Sequence, residues 1–173
     1  MDNSFFEYLQ QLELMAFFSG YPLVYVITVF LASHTNIKNN FSRRLVSVLP
    51  FAYALIGTLY LGYLLKSLYP DYSVKNIKAF VQQPWLISWG LLSILFWIPA
   101  LAKKKVLSLI HSLVFFFLLV RDLFIQLSAS SDKSIITNDM NVYTNSLLLN
   151  IGALALIVLL SFLFFTHKDH SRS

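Results

Sequence analysis

The sequence predicts an all-α, polytopic transmembrane bundle of about five membrane-spanning helices, with the N-terminus outside and the C-terminus in the cytoplasm. Three observations carry that expectation. Five apolar stretches, roughly 14–33, 45–65, 85–102, 106–127 and 147–165, each approach the about 20 helical residues that cross a roughly 30 Å hydrocarbon layer. Hydrophobic residues make up 57% of the chain and charged residues 12%, against about 25% charged in an ordinary soluble domain. Finally, a run such as Leu113–Val120 is apolar throughout, whereas a membrane barrel strand alternates over about 10 positions. Peptide groups find no partner in hydrocarbon, so spans that do not alternate must be helices. The connections are too short to fold alone, and residues 1–173 therefore read as a single transmembrane domain.

At the N-terminus, Ser4 and Glu7 match a capping box. Phe5, Leu9, Leu12 and Ala16 recur at helical spacing, with Glu7, Gln10 and Gln11 mainly on the opposite side. That pattern predicts a short helix over 4–13 at the outer interface, or the extramembrane start of the first span. Within that span, Ser19-Gly20-Tyr21-Pro22 predicts a kink or break, because Pro22 lacks a backbone donor and crowds the preceding turn. The second span carries a small-residue face of Ala54, Gly57 and Thr58, which lets a neighbouring helix approach closely. Tyr69-Pro70-Asp71-Tyr72 then reads as an outer turn held by interfacial tyrosines. Lys103–Lys105 leaves room only for a tight turn, so the third and fourth spans should be antiparallel neighbours. Ser128–Asn145 is the longest polar stretch and reads as an external loop. On the fifth span Ser146, Asn150, Ala153 and Ile157 share a face, with Gly152 and Ala155 close by. Small residues there predict tight helix contact, and Asn150 a hydrogen bond across it.

Orientation follows from the basic residues. Lys38, Arg43, Arg44, Lys103, Lys104, Lys105, Lys168 and Arg172 fall on one side; Lys66, Lys75, Lys78 and Lys133 fall on the other. The positive-inside rule places the richer side in the cytoplasm. Met1–Glu13 holds three acids and no Lys or Arg, the reverse of a signal peptide's basic start. The net charge of +5 is thus explained by topology and anionic lipid, without nucleic acid. The expected location is a bacterial inner membrane.

Little in the sequence carries chemistry. It has no cysteine, which excludes disulfides, thiolate catalysis and thiolate metal sites. It has no nucleophile elbow and no phosphate-binding glycine loop. No cofactor and no enzyme activity are expected. The most unusual residues are Arg121 and Asp122, charged inside the fourth span, where a charge costs about 2.5–3.5 kcal/mol on insertion scales. Sequential helical residues point about 100° apart, so the two should find separate partners. Arg121 can snorkel to the headgroups, and Lys66, Tyr60 or Tyr63 lie at a depth that suits Asp122. Four histidines fall on the cytoplasmic side, and His34 and His111 are the two that a bis-imidazole haem would need.

The expected function is a non-catalytic structural or accessory subunit of a larger membrane complex, touching lipids and other integral membrane proteins as hetero- or homo-oligomer. Arg121, Asp122, Asn150 and Ala153 would fix its interface or register. The alternatives are a small channel or carrier for protons, ions or a lipid, and a haem-bearing electron-transfer subunit.

Overall fold

The computed structural model describes residues 3–34, 40–69, 83–128 and 133–170, and all regular structure among them is helical. The turn expected from Pro70 onward, Lys38, Lys75, Lys78 and Arg172 lie outside the described residues, as do the side chains of Ser4, Glu7, Lys133, His167, Lys168 and His170. In chain order the elements are α1 (Asn3–Phe18), α2 (Tyr21–His34), α3 (Asn40–Ser67), α4 (Pro84–Leu91), a 3₁₀ segment (Leu92–Trp97), α5 (Pro99–Ala102), α6 (Lys105–Ser128) and α7 (Lys133–His170). Among the described residues, four stretches are long and apolar enough to cross a membrane: Gln10–His34, Ser42–Ser67, Lys105–Ile125 and Met140–Leu163.

Stretch 4–13 is continuous with the rest of α1, and Leu14, Met15 and Phe18 carry the same helix into the core. The interruption falls at Ser19-Gly20. There the Ser19 hydroxyl and amide both bond the Met15 carbonyl, at 2.6 and 3.0 Å. The Gly20 carbonyl accepts the first bond of α2 from Val24, at 3.2 Å. Pro22 is the second residue of α2, where a missing N–H leaves no bond unmade. Pro50, by contrast, sits inside α3, which runs on unbroken through it.

The third apolar stretch differs from the uninterrupted helix expected over 85–102. It is α-helical for eight residues, 3₁₀ for six, then extended at Ile98 (φ −73°, ψ 119°) before the single turn of α5. Pro99 is the cause, because a residue preceding proline is pushed out of the helical region. Tightening to 3₁₀ also lengthens the chain, since each residue rises about 2.0 Å instead of about 1.5 Å. The run from Pro84 to Trp97 therefore covers about 24 Å. The expected external loop over 128–145 is also reduced. Nothing between Lys133 and Ile151 is Gly or Pro, and α7 begins at Lys133, continuing for 38 residues.

Side-chain contacts give the bundle two distinct ends. Gln10, Gln11, Glu13, Tyr63, Gln83 and Asp122 meet at one. Ala32, Ser33, Ser42, Arg43 and Lys105 gather at the other. Gln83 belongs to the first end and Lys105 to the second, so the segment between them runs the length of the bundle. α3 is central and packs against α1, α2, α4, the 3₁₀ segment, α6 and α7. The outer helices are less covered: 28% of the apolar window of α6 and 22% of that of α7 are buried, against 56% for the first stretch.

Candidate functional site

Three polar or aromatic clusters hold the interior, and each begins with a residue that hydrocarbon would penalise if left alone. The first surrounds the break in the first stretch. Ending α1 at Phe18 frees carbonyls in its last turn, and the Asn150 amide donates to the Phe17 carbonyl at 2.9 Å and to its own Ser146 carbonyl at 2.8 Å. On the other side of the break the Gly20 amide donates to Ser146 Oγ at 2.8 Å. The backbones meet directly, for a Cβ on Gly20 would stand 2.7 Å from both Leu147 N and Ser146 C. The neighbour that Asn150 bonds is thus a span of its own chain. Ser146, Asn150, Ala153 and Ile157 are buried together, whereas Gly152 and Ala155 point outward and Gly152 has nothing near it.

This packing face yields a direct test. Replacing Ala153, in the core, by Phe is expected to lower the melting temperature in mild detergent sharply, because added bulk forces α7 off its neighbours. Leu159→Phe, on an exposed position, is expected to melt as the parent does. Equal tolerance at both positions would show that this face is not packed.

The second cluster lies at the Gln10 end. Gln11 Nε2 donates to Asp122 Oδ2, tying α1 to α6. The other carboxylate oxygen accepts from Arg121 Nε at 3.1 Å and Nη2 at 2.9 Å. The expectation that sequential charges would not pair is therefore corrected. Their Cα–Cβ vectors diverge, but arginine is long enough for its guanidinium to fold back onto the neighbour while remaining 56% exposed. Nor is the carboxylate held by Lys66, Tyr60 or Tyr63. The Tyr63 hydroxyl donates instead to Glu13 at 2.7 Å, Tyr60 is enclosed among core rings, and Lys66 is exposed. Gln10 and Gln11, expected on a polar outer face, are buried, and Gln10 Oε1 accepts the Gln83 amide at 3.1 Å.

The third cluster is an aromatic column through the middle of the bundle. Tyr60 contacts Phe17 and Phe18 edge-on, with centroids 5.2 and 5.5 Å apart; Phe18 stacks on Phe115 at 4.7 Å; Tyr53 and Tyr21 lie 4.4 Å apart. His111 completes it, stacked on Trp89 at 4.7 Å with planes 8° apart. The Tyr53 hydroxyl meets His111 Nδ1 at 2.7 Å, and Trp89 Nε1 donates to the His111 carbonyl at 3.2 Å. His111 Nε2 is buried and reaches no partner among the described residues. If Tyr53 donates to Nδ1, one imidazole N–H is left unpaired. The other tautomer strands both Nε2 and the tyrosine proton. The first arrangement leaves fewer unpaired groups and is the one the geometry favours. A separate hydroxyl pair, Tyr21 with Ser108 at 2.8 Å, joins α2 to α6.

The two histidines of the haem alternative occupy different environments. His34 is exposed at the end of α2 with its ring 4.4 Å from Phe30, and His111 is enclosed with Nδ1 already engaged. Among the described residues no group of three or more His, Asp or Glu is close enough to hold a metal ion. Sequence reasoning missed Gln11, Gln83, Tyr53 and Trp89. A usable signal existed for Tyr53, since a tyrosine at mid-span rather than at the headgroups needs a buried partner. Comparison with family models, with curated proteins and with solved structures gives no match for this chain.

Proposed function

We propose that the chain is a non-catalytic accessory subunit of a membrane protein complex in the bacterial inner membrane, crossing it five times with its N-terminus outside. The observation that carries the reading is the aromatic column. Phe18, Tyr21, Tyr53, Tyr60 and Phe115 are fully buried and fill the axis where a conduit would run. Polar side chains of the spans join the chain's own helices, through the Asn150 amide N–H, Asp122 and Ser108. What remains for a partner is the outer surface of α6 and α7, where Phe117, Phe124, Leu148, Leu159 and Leu163 are exposed. The fifth crossing is supported by the lengthwise path of Pro84–Ala102, and the orientation by Arg43 and Lys105 lining one cleft at one end.

The test is site-specific photocrosslinking in intact membranes, with reporters fused after Ser173 and near Asn141. Crosslinkers at Phe117 and Leu159 should each give one adduct of defined mass containing a second membrane protein, and a crosslinker at buried Phe115 should give none. The Ser173 reporter should be cytoplasmic and the Asn141 reporter external. Adducts with lipid alone would remove the subunit reading, and an external C-terminus the orientation. A second reading, a small proton or ion carrier, is favoured by one feature: His111 Nε2 and Asn150 Oδ1 are buried beside interrupted helices without a partner among the described residues. Proton or cation flux in proteoliposomes, lost in His111→Phe, would decide for it.

A further inference from the structure

At the end of the bundle opposite Asp122, a cleft of about 500 Å³ opens between α2, α3 and the start of α6. Among the described residues it is lined by Ala32, Ser33, Arg43, Val46, Ser47 and Lys105, together with Ser42. Arg43 is exposed and Lys105 half-buried, and neither forms an ion pair among the described residues. Two long helices begin here. Arg43 lies in the first turn of α3, and Lys105 is the first residue of α6. α2 finishes at the same place, with Ala32 and Ser33 in its last turn, so the positive starts of these two helices are offset by the negative end of a third and the net positive charge comes from the side chains.

The hydroxyls contribute differently. Ser33 Oγ donates to the Phe30 carbonyl and Ser47 Oγ to the Arg44 carbonyl, both at 2.7 Å. Their protons are engaged within their own helices, so the donors offered to a guest are the guanidinium and the ammonium. A planar fork on α3 and a mobile point charge on α6, both lining the cleft, suit a tetrahedral oxyanion. The residues next in sequence to the lining are apolar on two of the helices: Phe30 and Leu31 on α2, and Val106 on α6, are all exposed. A headgroup seated between the cations would thus leave its acyl chains on an apolar surface.

We propose that this cleft is a binding site for an anionic phosphate group, with Arg43 and Lys105 as its two ligands and a phospholipid headgroup as its source. The proposal does not depend on the subunit reading. It is tested on the full chain in mild detergent, by melting temperature against added phosphatidylglycerol, phosphatidylcholine or inorganic phosphate, and by the phospholipid phosphorus retained after purification. Phosphatidylglycerol is expected to raise the melting temperature saturably, and phosphatidylcholine is not. In Arg43→Gln/Lys105→Gln the midpoint should move to at least about tenfold higher lipid, as expected for losing charge-assisted contacts. Lys103→Gln/Lys104→Gln, which removes equal charge from exposed neighbours outside the cleft, should bind as the parent does. If inorganic phosphate protects equally and depends on the same two residues, the site takes a soluble phosphate, and the lipid source is overturned while the phosphate site stands. If both double variants lose protection alike, or neither does, there is no built site. Should the Arg43/Lys105 variant not fold, Lys105→Gln alone carries the same comparison through retained phosphorus.

Discussion

Gly20→Ala is expected to be the most damaging single-methyl change in this protein. A Cβ at Gly20 would lie 2.7 Å from Leu147 N and Ser146 C and 2.9 Å from Leu147 Cα, all of them backbone atoms. No rotamer change can clear them, so α7 must move away from the break. That movement also stretches the bonds from the Gly20 amide to Ser146 and from Asn150 to the Phe17 carbonyl. Overpacking alone costs about 1–3 kcal/mol, and each buried group left unpaired costs about 1–3 kcal/mol more. The other glycines give an internal scale. At Gly57 the added methyl meets the Ser93 side chain and, at 3.1 Å, the Ile94 amide; at Gly90 it meets the side-chain ends of Leu14 and Phe18, with Tyr60 in ordinary contact at 3.5 Å. Nothing stands within 4 Å at Gly62 or Gly152, where alanine should be neutral or stabilise by up to about 1 kcal/mol through helix propensity. The expected order of melting temperature in detergent runs from Gly62→Ala and Gly152→Ala downward through Gly90→Ala and Gly57→Ala to Gly20→Ala. A Gly20→Ala protein as stable as Gly152→Ala would mean that α7 does not touch the break.

The break itself was legible in the sequence from Ser19-Gly20-Tyr21-Pro22 taken together; proline alone does not decide it, since α3 runs unbroken through Pro50. The long apolar helices were legible because hydrocarbon leaves the backbone no alternative. The third stretch was misread because apolarity cannot distinguish α from 3₁₀, and the deciding restriction at Ile98 comes from the next residue, Pro99. Side-chain partners were the least legible. A buried polar residue announces that it needs a partner, as Asn150 and Asp122 did, but the partner is chosen by which helices meet. Asn150 takes a backbone carbonyl, which carries no residue-type signal at all. Asp122 takes Gln11, whose polar character had been attributed to an outer face. Trp89 and His111 stack although 22 residues separate them, and only the turn at Lys103–Lys105 brings them side by side.

Asp122 is where the structural and ion-handling readings give opposite results. Its two oxygens accept from Gln11 and Arg121, and both Asp122 and Gln11 are buried. Asp122→Asn keeps one oxygen to accept from Gln11, and the exposed Arg121 can turn to the headgroups, so a loss below about 1.5 kcal/mol is expected. Asp122→Leu strands the Gln11 amide in a low-dielectric interior and should cost about 1–3 kcal/mol more. The decisive variant is the double change Gln11→Leu/Asp122→Leu. Removing both partners leaves nothing buried unpaired, so it should recover much of the stability lost in Asp122→Leu, a coupling that thermal melts of the parent, Gln11→Leu, Asp122→Leu and the double variant measure directly. A proton carrier behaves otherwise: Asn and Leu should then abolish proteoliposome flux equally, since neither titrates, and the double change should rescue no activity. Additive losses in the melts, with Asn as harmful to flux as Leu, would end the structural account of this residue.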